Sequence, residues 1–164
     1  MLFYRILIFL LVLISIFIVL VLIKVNMKRD RILRYFRHSA GIRHDLVKEI
    51  SENPGKITDD ISPQEMVSIL TLISAKSSVF QAYHAALRFT EKNCEFTTEF
   101  YSQLENLARI FSARKWMLES QEILRLGEMI AHKLGDVYWV EEYRSYINSI
   151  NFLMMKGKTS SKIF

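Results

Sequence analysis

The sequence predicts an all-α fold in which a single N-terminal transmembrane helix is followed by a five-helix antiparallel array. Three observations lead to this prediction. A long uncharged apolar run lies near the N-terminus. Beyond residue 62, apolar residues recur at helical spacing without strand-like alternation. The composition, with 51% apolar residues, Gly 5, Pro 2 and Cys 1, excludes a disordered chain, a collagen and a disulfide scaffold.

The apolar run, residues 6–23, has the length of a membrane span. It contains 18 residues, all Ile, Leu, Val or Phe except Ser15. A helix of this length rises about 27 Å, close to the thickness of the hydrocarbon core of a bilayer. The alternative is a cleaved signal peptide, which has a shorter apolar region and a small-residue cleavage site. Because Lys24, Val25 and Asn26 provide no such site, we expect a transmembrane helix.

A basic segment follows the span and predicts its orientation. The N-terminal side has only Arg5, and Lys and Arg resist translocation, so the C-terminal part is expected to be cytoplasmic. The uniform Ile, Leu, Val and Phe content of the span favours a bacterial inner membrane, or alternatively the secretory route, over a mitochondrial surface. We expect residues 24–37 to continue the helix along anionic lipid headgroups, with Tyr35 and Phe36 at the interface. The alternative is a calmodulin-type or nucleic-acid target. The candidate membrane-surface bases are Lys24, Lys28, Arg29, Arg31, Arg34 and Arg37.

The remainder of the chain is acidic, although the formal net charge of the whole is +5. Residues 38–155 hold 12 Lys and Arg against 16 Asp and Glu, a balance of −4. Binding of a nucleic acid by this part is therefore not expected. The single Cys94 allows no internal disulfide bond, which fits a reducing compartment.

Local signals divide the chain and mark the helix ends. Ser62, Pro63 and Glu65 form a capping box, which starts a helix. Further ends are expected at Thr97 or Thr98, which can cap the third helix, at Gly135 after the fourth and at Asp136 before the fifth. The predicted units are a short flank (1–5), the transmembrane helix (6–23), a basic juxtamembrane helical stalk (24–52), a linker (53–61), the helical domain (62–155) and a basic tail (156–164).

The third and fourth predicted helices form a hairpin that resembles the tetratricopeptide repeat, a helix-turn-helix unit with large and small residues at fixed offsets. The matching positions are Leu104, Leu107, Ala108 and Phe111 in the first helix and Ser120, Leu124 and Gly127 in the second. Only Leu107 is the residue typical of the family, and His132 replaces the turn proline. The resemblance covers about half the chain and implies a concave face that binds a peptide or helix. The alternative is an unrelated helical bundle, in which Ala108, Ser120 and Gly127 would equally allow close helix packing.

No pattern in the sequence indicates catalysis, a metal or a cofactor. The four histidines, His38, His44, His84 and His132, lack the spacing that ligation from one helix requires. Cys94 has no partner cysteine, and the glycines form no phosphate-binding cluster. We therefore do not expect an enzyme. A membrane-anchored enzyme remains an alternative to the two functions given below.

The aromatic residues near the C-terminus suggest a binding role. Tyr138, Trp139 and Tyr146 cannot all share the helix face of Tyr143 and Ile147, so some are expected to be exposed and to contact a protein partner. The predicted function is a single-pass adaptor or scaffold at the cytoplasmic face of a membrane complex, such as one of secretion, translocation or envelope assembly. The alternative is a small membrane-active protein (a toxin, immunity factor or pore-former) that acts through its transmembrane helix.

Overall fold

The computed structural model describes residues 2–37, 42–57 and 60–160, and within these ranges it contains seven α-helices and no strand. The all-α prediction is confirmed. The predicted tail begins inside the last helix, whereas residues 161–164, His38 and Asp59 lie outside the described residues. The helices are α1 (Leu2–Arg37), α2 (His44–Glu52), α3 (Pro63–Lys76), α4 (Val79–Lys92), α5 (Thr97–Ala113), α6 (Met117–Leu134) and α7 (Val137–Ser160), with 3-10 turns at Pro54–Lys56 and Cys94–Phe96.

Helix α1 is long and apolar enough to span a membrane. Every residue from 6 to 23 is exposed, so the protein itself does not cover this part of the helix. The helix continues without a break through the basic segment to Arg37. The span and the first part of the stalk are therefore one helix, while α2 is a separate one.

Helix α3 forms the centre of the helical domain, because α1, α2, α4 and α5 all pack against it. More than half of its residues are buried, among them Met66, Ile69, Leu70 and Ile73. Helix α5 packs against α3 and α6, and α7 packs against α6 and α5. This order leaves α7 at the outer edge of the array.

The predicted helix ends are confirmed at Ser62, Gly135 and Asp136. Ser62 Oγ accepts a hydrogen bond from the Glu65 amide at 3.2 Å, and Gly135 ends α6 in the left-handed conformation with φ of 76°. Asp136 Oδ1 accepts from the Trp139 amide at 3.3 Å. The predicted cap at Thr97 or Thr98 is wrong, since Phe96 caps α5 without a side-chain bond. The preceding 3-10 turn already winds the chain, so both threonines fall within the helix.

The small residues Ala108, Ser120 and Gly127 allow the close approaches that the sequence predicts. Ser120 Oγ donates a hydrogen bond of 2.7 Å to the Ala108 carbonyl oxygen, which joins α6 to α5. A Cβ atom added at Gly127 would lie 2.6 Å from the ring of Tyr143 on α7. The resemblance of this array to tetratricopeptide repeats stays a prediction.

Candidate functional site

The last part of α1 packs into the helical domain through a stripe of apolar side chains. Ile32 and Phe36, four residues apart and thus on one face, are 4% and 2% exposed. Ile32 meets Thr71 of α3 and Ile123 of α6 at a small gap between these helices. Burying two such side chains contributes about 1.5–3 kcal/mol each. The apolar face of the basic segment therefore contacts protein.

The aromatic residues of this segment do not lie at a lipid interface, and that expectation is wrong. The ring of Tyr35 contacts the rings of Phe111 at 5.2 Å and Trp116 at 6.2 Å, both edge-on. The Arg114 guanidinium lies 4.8 Å from the centroid of the Tyr35 ring on its other side. An apolar stripe among arginines suits a lipid surface and a protein groove equally well in sequence. Here α1 packs against α3, and Tyr35 contacts the end of α5 and the link to α6.

Two ion pairs join the same segment of α1 to α6. Arg31 Nη2 lies 3.2 Å from Glu119 Oε1, and Lys28 pairs with Glu122. The basic residue nearer the N-terminus of α1, Lys28, pairs with the acidic residue nearer the C-terminus of α6, Glu122. Helix α6 therefore runs antiparallel to α1. Ser74 of α3 donates a hydrogen bond of 2.7 Å to Glu122 Oε1. We call this set of ion pairs, together with Ile32 and Phe36, the α1–α6 junction.

Glu119 is the most deeply buried charged residue of the α1–α6 junction. Its side chain is only 1% exposed, and a buried carboxylate that loses its cation is strongly destabilising. An apolar residue at this position would avoid the desolvation cost. Neither Glu119 Oε1 nor Arg31 Nε has a hydrogen-bond partner among the described residues, so the two side chains interact by charge. Sequence analysis missed Glu119, although its position one residue before Ser120 and four before Ile123 places it on the apolar side of α6.

The six candidate membrane-surface bases fall into two groups. Lys28 and Arg31 have protein partners, as just described. The other four are exposed, and their role at a membrane surface stays a prediction: Lys24, Arg29, Arg34 and Arg37.

A second set of ion pairs fixes the segment that leads into α3. Arg43 donates hydrogen bonds to both Glu65 carboxylate oxygens, at 2.9 Å and 3.1 Å, and to Asp60 Oδ2 at 2.8 Å. These bonds, first Glu65 and then Asp60, raise the pKa of Arg43 above its usual range. Glu65 therefore binds Arg43 in addition to starting α3, where the predicted capping box would have turned its carboxylate back toward Ser62.

The three candidate partner-binding aromatics occupy different environments on α7. Tyr138 is 64% exposed. Trp139 is partly buried against Tyr101 of α5, with ring centroids 5.5 Å apart, and Tyr146 lies beneath the Arg109 guanidinium, 5.3 Å from its ring centroid. The structure thus leaves one of the three open and uses the other two to join α7 to α5. Their binding of a partner stays a prediction.

An apolar cluster near the C-terminal end of α7 was not singled out from the sequence. Phe152, Leu153 and Met155 are 57%, 51% and 68% exposed. The signal that could have found them is their position: the buried residues of α7 include Val140, Tyr143, Ile147 and Ile150, and Phe152, Leu153 and Met155 fall outside that spacing. We call these three residues the α7 cluster.

The titratable groups between α5 and α7 serve packing. Tyr143 donates a hydrogen bond of 2.9 Å to the Tyr101 carbonyl oxygen. Burial raises the pKa of Tyr143 well above its usual range, and burial followed by the charge of Asp136 raises the pKa of Tyr101 to about 12. Both phenols are therefore neutral at physiological pH. Within the described ranges, no three His, Cys, Asp or Glu side chains are grouped to hold a metal ion.

Compared with known proteins, the chain matches no protein-family model, no curated protein and no solved structure.

Proposed function

We propose that this protein is a single-pass membrane adaptor, in which α1 anchors the chain and the outer surface of α7 docks a protein partner on the cytoplasmic side. The observation that supports it most is the α7 cluster: three large apolar side chains, each more than half exposed, within four residues of one helix. Phe152 and Met155, three residues apart, share one side of α7, and Leu153 lies about 100° around the helix from Phe152. Exposed apolar side chains grouped in this way are typical of protein interfaces.

The partner surface extends along α7 from the α7 cluster to Tyr138. Phe152 lies 14 residues after Tyr138, which is close to four helical turns, so the two rings lie on nearly the same side of α7 about 21 Å apart. The exposed residues between them on or beside that side include Glu141, Glu142, Ser145 and Ser149. Two aromatic ends with polar residues between them fit an amphipathic helix that lies along α7.

The α1–α6 junction gives this surface a fixed orientation with respect to the anchor. A flexible stalk would let the helical domain rotate freely, whereas buried apolar residues and a buried ion pair hold α1 against α6. Because α7 packs on α6, the partner surface is held in register with the membrane helix. Such an arrangement suits a fixed component of a protein complex in a bacterial inner membrane. Complexes for secretion, translocation or envelope assembly are examples.

Photo-crosslinking tests the partner surface. A benzoyl-phenylalanine introduced at Tyr138 and, separately, at Phe152 should crosslink one and the same protein in cells that make the full chain. The matched control is Ile110, an apolar residue of α5 that is 42% exposed. A crosslink to the same protein from Ile110, or different proteins from Tyr138 and Phe152, would contradict a defined surface on α7.

A swap of the membrane helix separates the adaptor from the membrane-active alternative. Residues 6–23 are replaced by an unrelated apolar helix of equal length, and the crosslink from Phe152 is measured again. The adaptor keeps its partner in this variant. Loss of the crosslink with the protein still in the membrane would favour a function carried by the membrane helix itself.

A further inference from the structure

A cleft of about 520 Å³ lies beside α1 at the end of its apolar stretch. Val21 and Val25 of α1 and Met129 of α6 line it together with Val79, the first residue of α4, and Leu118, 11 residues before Met129 on α6, lines its far end. Because Val21 belongs to the apolar run of residues 6–23, the cleft begins within the candidate membrane span. Its walls are mainly apolar at that level.

Cationic side chains line the same cleft from both helices. Lys28 and Arg31 already pair with Glu122 and Glu119. Lys24 on α1 and Arg125 on α6 also line the cleft, and in the part of the chain that the structure describes neither forms an ion pair. Two cations on opposite walls of an apolar cleft therefore lack an anion.

We propose that this cleft binds one anionic phospholipid, whose phosphate lies between Lys24 and Arg125 and whose acyl chain lies along Val21 and Met129. Phosphate oxygens accept charge-assisted hydrogen bonds from both side chains, and the Arg guanidinium adds a planar pair of donors. The lipid thereby forms a third contact between α1 and α6, beside the apolar stripe and the ion pairs of the junction.

The arrangement along α1 favours a lipid over a soluble phosphate. Lys24 directly follows the apolar run, and it lies about 4.5 Å further along the helix axis than Val21. In a bilayer, that step leads from the hydrocarbon to the headgroup level, where Lys and Arg attract anionic lipids. A soluble anion would use the two cations but leave the valines, Leu118 and Met129 exposed to water. The inference rests on the membrane anchoring of α1 and is independent of the protein partner proposed for α7.

Native mass spectrometry of the full chain in mild detergent tests the proposal. With phosphatidylglycerol supplied, one lipid should remain bound per chain, and phosphatidylcholine should remain bound at least about tenfold less. The double variant Lys24→Gln/Arg125→Gln removes two charge-assisted bonds and should lose about tenfold or more in affinity for phosphatidylglycerol. Both residues are exposed, so their replacement is compatible with folding, which circular dichroism verifies.

The matched control is Arg29→Gln/Arg37→Gln, which removes two exposed positive charges of α1 that do not line the cleft. This variant should bind the lipid as the unchanged chain does. Equal loss in both double variants would show diffuse attraction and overturn the proposal, as would equal retention of phosphatidylcholine. Inorganic phosphate that stabilises the lipid-free protein as well as phosphatidylglycerol does would overturn it in favour of a soluble anion. The Phe152→Ser/Met155→Ser variant, which alters the proposed partner surface, should bind the lipid as the unchanged chain does. The lipid proposal can therefore succeed or fail independently of the partner proposal.

Discussion

The two parts of α1 differ completely in their surroundings although they belong to one continuous helix. Residues 6–23 are exposed, whereas Ile32 and Phe36 are almost fully buried in the core of the helical domain. The first part is apolar all round and has no protein partner, which is what a lipid-facing helix requires. The second part is amphipathic, and two of its basic residues, Lys28 and Arg31, form ion pairs with α6. One continuous helix therefore has an exposed apolar part suited to lipid and a part packed on the helical domain. The surroundings of the helix change between Ile23 and Lys28.

Replacing Phe36 should cause the largest loss of stability among the substitutions that distinguish the two parts of α1. Phe36→Ala leaves a cavity in the packed junction and should reduce the free energy of unfolding of the helical domain by about 3–5 kcal/mol. The measurement is urea unfolding of the full chain in detergent, followed by the tryptophan fluorescence of a Trp139→Phe background, which reports on Trp116, the residue that contacts Tyr35. The control is Phe17→Ala in the exposed part of the same helix. Equal losses from both substitutions would remove the distinction between the two parts.

Removing the cation of the buried ion pair is expected to be the next largest perturbation. Arg31→Ala leaves Glu119 buried without its partner and should cost about 3 kcal/mol. The double variant Arg31→Met/Glu119→Leu should recover most of this loss, because an apolar pair replaces the charges. Arg29→Ala, two residues away and exposed on another side of α1, serves as the control and should change stability by less than about 0.5 kcal/mol. A loss in Arg31→Ala no greater than in Arg29→Ala would argue against a packed junction.

A methyl group at Gly127 tests the packing of α7, on which the presentation of the partner surface depends. The Cβ of Gly127→Ala would lie 2.6 Å from Tyr143, so the substitution should cost about 1–3 kcal/mol by overpacking. Gly135→Ala is not a suitable control because Gly135 has positive φ. The control is Ser145→Ala on the exposed side of α7, which should leave the stability nearly unchanged. Differential scanning calorimetry provides the readout, and an unchanged melting temperature for Gly127→Ala would contradict the close approach.

The pair of Lys28 and Glu122 should contribute least. Their side chains are 28% and 23% exposed, so a double-mutant cycle with Lys28→Met and Glu122→Gln should give a coupling energy of about 0.5–1 kcal/mol. This coupling should weaken as the salt concentration rises. A coupling near zero at low salt would show that the pair does not form in solution.

Features decided by neighbouring residues could be predicted from the sequence, and features decided by distant contacts could not. Ser62 and Gly135 mark helix ends through their own backbone and side-chain chemistry, and Gly127 is small where α6 must approach another helix. The ion pair of Arg31 with Glu119 joins residues 88 positions apart in the sequence, and no local pattern specifies that register.

The candidate partner surface shows the same limit. Trp139, Tyr143 and Tyr146 follow the i, i+4, i+7 spacing of one helix face, and Tyr138 lies off that face. Helical periodicity could therefore have identified Tyr138 as the exposed residue of the three. It could not show that α5 covers the other two, through Tyr101 and Arg109.

Crosslinking between α1 and α6 tests most directly whether the basic segment is docked on the helical domain. In a Cys94→Ser background, Lys28→Cys/Glu122→Cys is treated with a short bis-maleimide in membranes, and the crosslinked peptides are identified by mass spectrometry. The docked helix predicts efficient crosslinking within one chain, and none for Lys28→Cys/Asn106→Cys, whose second position lies exposed on α5. Absence of the first crosslink, with both cysteines reactive toward a single maleimide, would show that the segment lies apart from α6 and would contradict the account.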